Sequence, residues 1–202
     1  MDDTHARDTG RLAVATGAIA AGGAVCLAAY FAIGGPFGTV NDIANGTAGV
    51  LSAVLAWRLR HAIAGRARDL ALGAAIGGAA LTAIGSGLVV SGTTGFFLAG
   101  LVSSLGFAGI GAWLVALNRS ADPPARWPRR LRTLGVAAGG LMALGVLQSP
   151  GIVLRLDDMA TAPGWIWIGS LGWLGTFVAY PAWAIWMGAA QPGSQSELAA
   201  AA

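Results

Sequence analysis

Apolar residues are gathered into six long runs along the chain, with short polar segments between them. The runs cover about residues 12–35, 41–59, 70–91, 95–118, 133–154 and 164–188. Each is close to the roughly 20 apolar residues that a helix needs to cross a bilayer. Strands of a membrane barrel would instead alternate in polarity over about ten residues. The pattern therefore predicts an all-α, polytopic membrane bundle of six transmembrane helices.

The two ends of the chain are predicted to lie outside the bilayer. Residues 12–188 form one transmembrane domain in this interpretation, residues 1–11 a cytoplasmic N-terminal segment, and residues 189–202 a disordered cytoplasmic tail. The composition agrees with a membrane protein, because only 10% of the residues are charged and the mean hydropathy is +0.67. A soluble domain carries about 25% charged residues.

Arginine predicts the orientation, since the chain contains no lysine. All arginines but Arg155 fall in the N-terminal segment or in the segments after the second and fourth runs. They are Arg7, Arg11, Arg58, Arg60, Arg66, Arg68, Arg119, Arg126, Arg129, Arg130 and Arg132. The positive-inside rule makes these segments and both termini cytoplasmic. Arginine without lysine, beside abundant Ala and Gly, indicates a GC-rich bacterial genome and hence the bacterial inner membrane.

The expected partners follow from this charge pattern. The lipid bilayer surrounds the helices, and the arginine-rich cytoplasmic segments are expected to contact its anionic headgroups. The sequence pI near 10 is also compatible with a protein that binds nucleic acid. No recognised nucleic-acid-binding fold or aromatic stacking platform accompanies the charge, so we expect no nucleic-acid partner.

Two glycine motifs predict close helix packing. Gly73-x-x-x-Gly77 in the third run and Gly135-x-x-x-Gly139 in the fifth each place two glycines on one helix face. Such faces let two helix backbones approach closely in a membrane. We expect these contacts to lie inside the monomer; the alternative is a homo-oligomer that forms through the glycine faces.

A weak internal repetition is also visible. Ala-Trp pairs end at Trp57, Trp113 and Trp183, near the ends of the even-numbered runs, and Gly-Gly pairs lie within the odd-numbered ones. This spacing fits three tandem helical hairpins, and parallel repeats do occur in transporters. In a chain so rich in Ala and Gly, chance recurrence is the alternative.

The sequence offers no arrangement of residues for catalysis. His5 and His61, the only histidines, lie outside the apolar runs, and Cys26 is the only cysteine. They match no metal-ligand spacing, so no metal site and no cofactor is predicted. Ser86 lies in Gly85-Ser86-Gly87, but the apolar runs contain no histidine to act as its base. We therefore expect no catalytic residue and no enzymatic activity.

Polar residues stand out at the start of the second run. Asn41, Asp42 and Asn45 are spaced so that all three share one face of a helix. One interpretation is a helix cap, in which Thr39 or Asn41 accepts from free N–H groups and Asp42 favours the positive end of the helix dipole. Asn45 lies a full turn further in, where an amide should face the bundle or a water-filled cavity rather than lipid.

The other interpretation is a polar pocket on the outer side. Its candidate binding residues are Asn41, Asp42, Asn45, Gln148, Arg155, Asp157 and Asp158. Arg155 is the only outer cation, so we expect its guanidinium to pair with the carboxylate of Asp42. A cap and a pocket are both compatible with the sequence.

Two functional classes follow. One is a small permease or ligand-binding membrane protein whose site is the outer pocket. The other is a non-transporting scaffold, partner subunit or regulator. No ionisable residue lies clearly at the predicted midplane, where coupled transporters usually carry one, which weakens the transport interpretation.

Overall fold

Six long helices form the fold in the computed structural model, which describes residues 3–120 and 127–191. They are α1 (Asp3–Ile33), α2 (Phe37–Arg58), α3 (Gly65–Val90), α4 (Phe96–Arg119), α5 (Arg129–Val153) and α6 (Ile166–Ala189). Short 3-10 turns at Arg60–Ala62 and Met159–Thr161 lie in two of the connections. No strand occurs within these described ranges, so the predicted all-α class is confirmed.

The helix ends differ from the predicted spans at several places. Helix α1 extends back to Asp3, through most of the segment predicted to precede the bundle. Helix α2 begins at Phe37, four residues before the predicted span. The predicted disordered tail falls almost wholly on residues 192–202, and Arg126 belongs to 121–126; both lie outside the described residues.

Five of the six helices are long and apolar enough to cross a membrane, namely α1, α3, α4, α5 and α6. Helix α2 is not among them, because Asn41, Asp42 and Asn45 lower its hydropathy. Large apolar side chains cover the outside of the bundle; Val153 is 82% exposed and Ile33 is 74% exposed. A continuous exposed apolar surface is typical of proteins that contact lipid. The fold is therefore compatible with a membrane protein.

The helices form a closed ring. Each packs against the next in the chain, and α6 returns to pack against α1. The α1–α2, α3–α4 and α5–α6 connections meet at one end, where Tyr30 contacts Phe96 and Asp157 contacts Gly95. The arginines of the other connections gather at the opposite end, which we call the arginine-rich end. We call the first the acidic-loop end, after Asp157 and Asp158.

The core at the arginine-rich half of the bundle is aromatic. Trp183 of α6 lies edge-on to Trp113 and Trp127 and stacks on Tyr180, with ring centroids 6.1 Å apart in the stacked pair. The indole N–H of Trp183 donates to the Asn118 side chain at 3.3 Å. Four rings and an amide therefore join α4, α6 and the residues just before α5, and offset and edge-to-face contacts are the favourable arrangements for such rings.

Glycine allows α3 and α4 to approach more closely than other side chains would permit. A Cβ atom on Gly78 would collide with the carbonyl oxygen of Gly106, and one on Gly85 would lie 2.8 Å from the carbonyl of Ala99. Gly139 of α5 similarly packs against the Gly111 carbonyl. The expectation of packing inside the monomer is thus correct for α5.

For α3 the same expectation is wrong. Gly73 and Gly77 point outward, and a Cβ atom on either would meet nothing within 4 Å in the described part of the chain. The reason is helical periodicity, since Gly78 and Gly85, seven residues apart, occupy the face towards α4. The motif predicted a close-packing face but not its direction.

Both prolines in the last two helices lie beside irregular turns. Helix α5 tightens to a 3-10 turn over Leu144–Gln148, just before Pro150. Helix α6 widens to a π-helical turn over Gly175–Ala179, just before Pro181. Proline has no N–H to donate to the preceding turn, so the regular hydrogen-bond ladder is interrupted there. The π turn brings Thr176 and Phe177 to the site described next.

Candidate functional site

A cavity lies between α1, α2, α4 and α6 in the acidic-loop half of the bundle. Its volume is about 40 Å³. Its polar wall comes from Asn41, Asp42, Asn45, Ser103, Ser104 and Thr176, and its apolar wall from Leu27, Phe96, Phe97, Gly100, Phe107, Trp173 and Phe177. One side is therefore an amide and carboxylate face of α2, and the other is mainly aromatic.

The early start of α2 places its polar residues inside the bundle. Because the helix begins at Phe37, Asn41 and Asn45 lie in its second and third turns, facing the interior, and are 2% and 8% exposed. The Asn45 amide donates to Asn41 Oδ1 at 3.3 Å, and the Asn41 amide donates to Asp42 Oδ1 at 3.4 Å. The three side chains form a connected polar ladder along α2.

The capping interpretation is wrong for these residues. The residue at the N-cap position is Pro36, and no side chain there accepts a hydrogen bond from the first turn of α2. The first turn also contains no acidic residue. Another explanation is therefore needed for the polar side chains of Asn41, Asp42 and Asn45. Their position on the cavity wall provides it.

Among the described residues that line the cavity, Asp42 alone carries an ionisable group. Its side chain is half-buried, and within the described residues its one hydrogen bond comes from Asn41. A carboxylate removed from water costs free energy unless a cation or several donors compensate it. The arrangement thus presents a partly desolvated negative charge to the cavity.

Arg155 does not supply the missing cation. Arg155 is exposed in the α5–α6 connection and makes no ion pair with Asp42. An ion pair that the described residues do form joins the neighbouring Arg68 and Asp69, at 2.9 Å. The backbone of Arg155 has a φ of 53°, the left-handed region that non-glycine residues rarely adopt. The expected Asp42–Arg155 ion pair is therefore wrong.

Asp157 and Asp158 cap helices rather than line the cavity. Asp157 accepts from the backbone N–H of Gly95 at 2.7 Å and of Leu98 at 3.1 Å, which ties the α5–α6 connection to the start of α4. Asp158 accepts from the N–H of Ala160 at 2.9 Å and caps the short 3-10 turn. Both carboxylates lie outside the set of residues that forms the cavity wall.

Gln148 is fully buried but also lies apart from the cavity wall. Its amide donates to the Ser170 hydroxyl at 2.9 Å and so joins the 3-10 turn of α5 to α6. Its oxygen, Oε1, has no hydrogen-bond partner in the part of the chain that the structure describes. The structure thus brings together three of the seven predicted site residues and separates the other four.

Several cavity residues have no signal in the sequence. The Trp173 indole donates to the Ser104 hydroxyl at 3.2 Å, which closes one side of the cavity between α4 and α6. Ser103 and Ser104 form a hydroxyl pair inside an apolar run, but isolated serines in membrane helices are usually packing residues. Only the packing of the helices reveals that both serines and Asp42 line the same cavity.

The size of the cavity limits what it can hold. A single water needs about 10–15 Å³ measured in this way, so the cavity has room for about three waters or for a ligand of a few non-hydrogen atoms. Aromatic faces attract cations through their quadrupoles, and the carboxylate adds a full negative charge. The wall is therefore suited to a small monovalent cation.

Among the described residues, no group of three or more His, Cys, Asp or Glu side chains lies close enough to hold a metal ion.

Comparison with known proteins gives no family for this chain. No protein-family model matches it, and neither a curated protein nor a solved structure matches it.

Proposed function

We propose that this chain is an integral membrane protein that binds a small organic cation in the cavity beside Asp42. This makes it a small permease or ligand-binding membrane protein with its site on the outer side. The observation that carries the proposal is the half-buried Asp42 carboxylate, which faces a small cavity with aromatic walls and has no cationic partner among the cavity-lining residues.

The composition of the wall supports an ammonium compound over a bare metal ion. Hard cations prefer six or more oxygen ligands, whereas much of this wall is formed by Phe96, Phe97, Phe107, Trp173 and Phe177. A protonated primary amine can donate to Asp42 and Asn41 while its alkyl group contacts the rings. The volume of about 40 Å³ suits methylammonium or ethylammonium.

The distribution of arginines indicates on which side of the membrane the cavity lies. In our proposal all six helices cross the inner membrane of a bacterium, with both termini and the arginine-rich end in the cytoplasm. The cavity, in the acidic-loop half, then lies towards the outer side. Helix α2 is accepted as a sixth span because its polar face points to the cavity rather than to lipid.

Calorimetric titration of the purified protein in nanodiscs with methylammonium chloride tests the proposal. We expect saturable binding at constant ionic strength, and we expect Asp42→Asn to weaken it about tenfold or more, because a charge-assisted hydrogen bond is lost. Asp158→Asn is the matched control, since it removes a carboxylate at the same end but away from the cavity. Sodium and potassium chloride serve as competitors.

Two results would contradict a binding site at Asp42. One is the absence of saturable binding by the folded wild-type protein. The other is an equal loss of affinity in Asp42→Asn and Asp158→Asn, which would indicate a diffuse surface effect. Stronger binding of sodium or potassium than of methylammonium would overturn the choice of an organic cation.

A scaffold or partner subunit is the second candidate function. The outward face of α3 at Gly73 and Gly77 favours it, because a small-residue face directed towards lipid permits close approach of another helix. A homo-oligomer through this face would join two α3 helices, because Gly135 and Gly139 of α5 are already covered by α4. Gly77→Leu should then convert a dimer to a monomer in detergent, whereas a monomeric wild-type protein would exclude this candidate.

A further inference from the structure

An open groove lies on the outside of the bundle at the arginine-rich end, between α4 and α5. Its volume is about 420 Å³, and it is lined by Asn118, Arg129, Arg132, Thr133, Val136 and Ala137. It lies far from the cavity at Asp42 along the bundle and shares no residue with it.

One face of α5 forms most of this groove. Arg129, Arg132, Thr133, Val136 and Ala137 follow the three- and four-residue spacing that places side chains on a single helix face. The face changes character along its length, from two guanidinium groups at its start to small apolar side chains. Ala137 lies eight residues beyond Arg129, which is about 12 Å along a helix axis.

Arg132 is held in a fixed position at the start of the groove. Its Nε donates to the Asn118 carbonyl at 3.2 Å, and its Nη2 donates to the Ser120 carbonyl at 3.3 Å. A guanidinium has five N–H donors, so three remain for a ligand. Its charge is permanent, and among the described residues none that lines the groove is acidic.

Beyond the groove, the same face of α5 stays open towards the middle of the bundle. Gly140 follows Ala137 on the same face, and a Cβ atom there would meet nothing within 4 Å in the described residues. Small side chains leave space along the surface that lipid-facing leucine or phenylalanine would fill. A ligand with a negative head and an apolar tail matches both parts of this face.

We propose that the α4–α5 groove binds an anionic phospholipid. Arg129 and Arg132 bind its phosphate at the level of the headgroups, and an acyl chain lies over Val136, Ala137 and Gly140. Basic pockets between membrane helices are established sites for anionic headgroups. The arrangement differs from a diffuse attraction of arginines to the membrane surface, because it places one phosphate and one chain at defined residues.

Native mass spectrometry of the full chain in detergent, with added phosphatidylglycerol, tests the proposal. We expect one tightly retained lipid, with phosphatidylcholine retained less. Arg129→Gln should weaken retention about fivefold, the effect of about one basic residue at a membrane surface. Arg130→Gln is the matched control, since Arg130 is the next residue and equally charged but does not line the groove. Arg132 is left unchanged because it also holds the end of α4.

Gly140→Trp tests the acyl chain separately, because it fills the open face of α5 without changing the charge. We expect it to weaken phosphatidylglycerol retention, while inorganic phosphate in millimolar excess does not displace the lipid. Equal weakening by Arg129→Gln and Arg130→Gln would overturn the proposal in favour of diffuse charge. The proposal would be overturned in favour of a free-phosphate site if phosphate displaced the lipid and Gly140→Trp left lipid retention unchanged.

Discussion

The phenol of Tyr180 on α6 donates a hydrogen bond to the hydroxyl of Ser52 on α2 across the buried interior, with 2.6 Å between the oxygens. The direction follows from the second bond of Ser52, whose own proton goes to the Ala48 carbonyl at 2.6 Å. Both residues are fully buried. This bond joins two helices that also contribute residues to the Asp42 cavity, α2 and α6.

Removal of either partner should destabilise the bundle, but unequally. Ser52→Ala leaves the Tyr180 hydroxyl buried without an acceptor and should lower the free energy of unfolding by about 1–3 kcal/mol. Tyr180→Phe leaves Ser52 bonded to Ala48 and should cost about 0.5–1.5 kcal/mol. Denaturant titration in mixed micelles measures both. Thr47→Ala on the exposed face of α2 is the control; a greater loss in Tyr180→Phe than in Ser52→Ala would contradict the assigned donor.

Substitution by alanine at two glycines of α3 should affect stability to different extents. Gly78→Ala places a methyl group against the Gly106 carbonyl and should destabilise by about 1–3 kcal/mol, because backbone cannot move aside cheaply. Gly73→Ala, on the open face, should be nearly neutral or slightly stabilising. Thermal unfolding of the two variants in the same detergent compares them directly. Similar melting temperatures for both would mean that α3 is rotated about its axis relative to the structure described above.

Asp157→Ala should loosen the start of α4. The substitution removes the acceptor for the N–H groups of Gly95 and Leu98 and should cost about 0.5–2 kcal/mol, the usual range for a lost helix cap. Hydrogen exchange at these two amides should accelerate, whereas Asp158→Ala should leave them unchanged. Unaltered exchange at Gly95 and Leu98 in Asp157→Ala would show that the cap is not formed.

Labelling of single cysteines tests the orientation. In a background where Cys26 is replaced by serine, a cysteine at Ser91 should react with an impermeant maleimide in intact cells. A cysteine at Arg130 should react only after the cells are opened, because the positive-inside rule keeps this segment in the cytoplasm. The reverse pattern would invert the bundle and place the cavity on the cytoplasmic side.

Local sequence patterns predicted more of the helices than of the site. The spacing of Asn41 and Asn45 predicted a shared face directed away from lipid, because helical period alone determines which residues share a face. It could not show what lies opposite that face. Ser103, Ser104 and Thr176 reach the cavity only through the ring arrangement of α4 and α6, and Thr176 also depends on the π-helical turn.

Residues in connections were the least predictable. Arg155 and Asp42 looked like natural partners because their charges are opposite and both lie near the predicted outer side. The structure instead uses the neighbouring Asp157 to cap α4, since the α5–α6 connection packs over the start of that helix. The position of a connection depends on tertiary contacts, and the spacing of residues along the chain does not predict these contacts.

In our proposal the cavity at Asp42 binds a small cation. The most direct measurement is an experimental structure of the wild-type protein and of Asp42→Asn, each determined with methylammonium. We predict ligand density within about 4 Å of the Asp42 carboxylate in the wild-type protein, the range of an ion pair, and weaker density or none in the variant. A wild-type cavity closed by side chains, or density unchanged in Asp42→Asn, would contradict the claim.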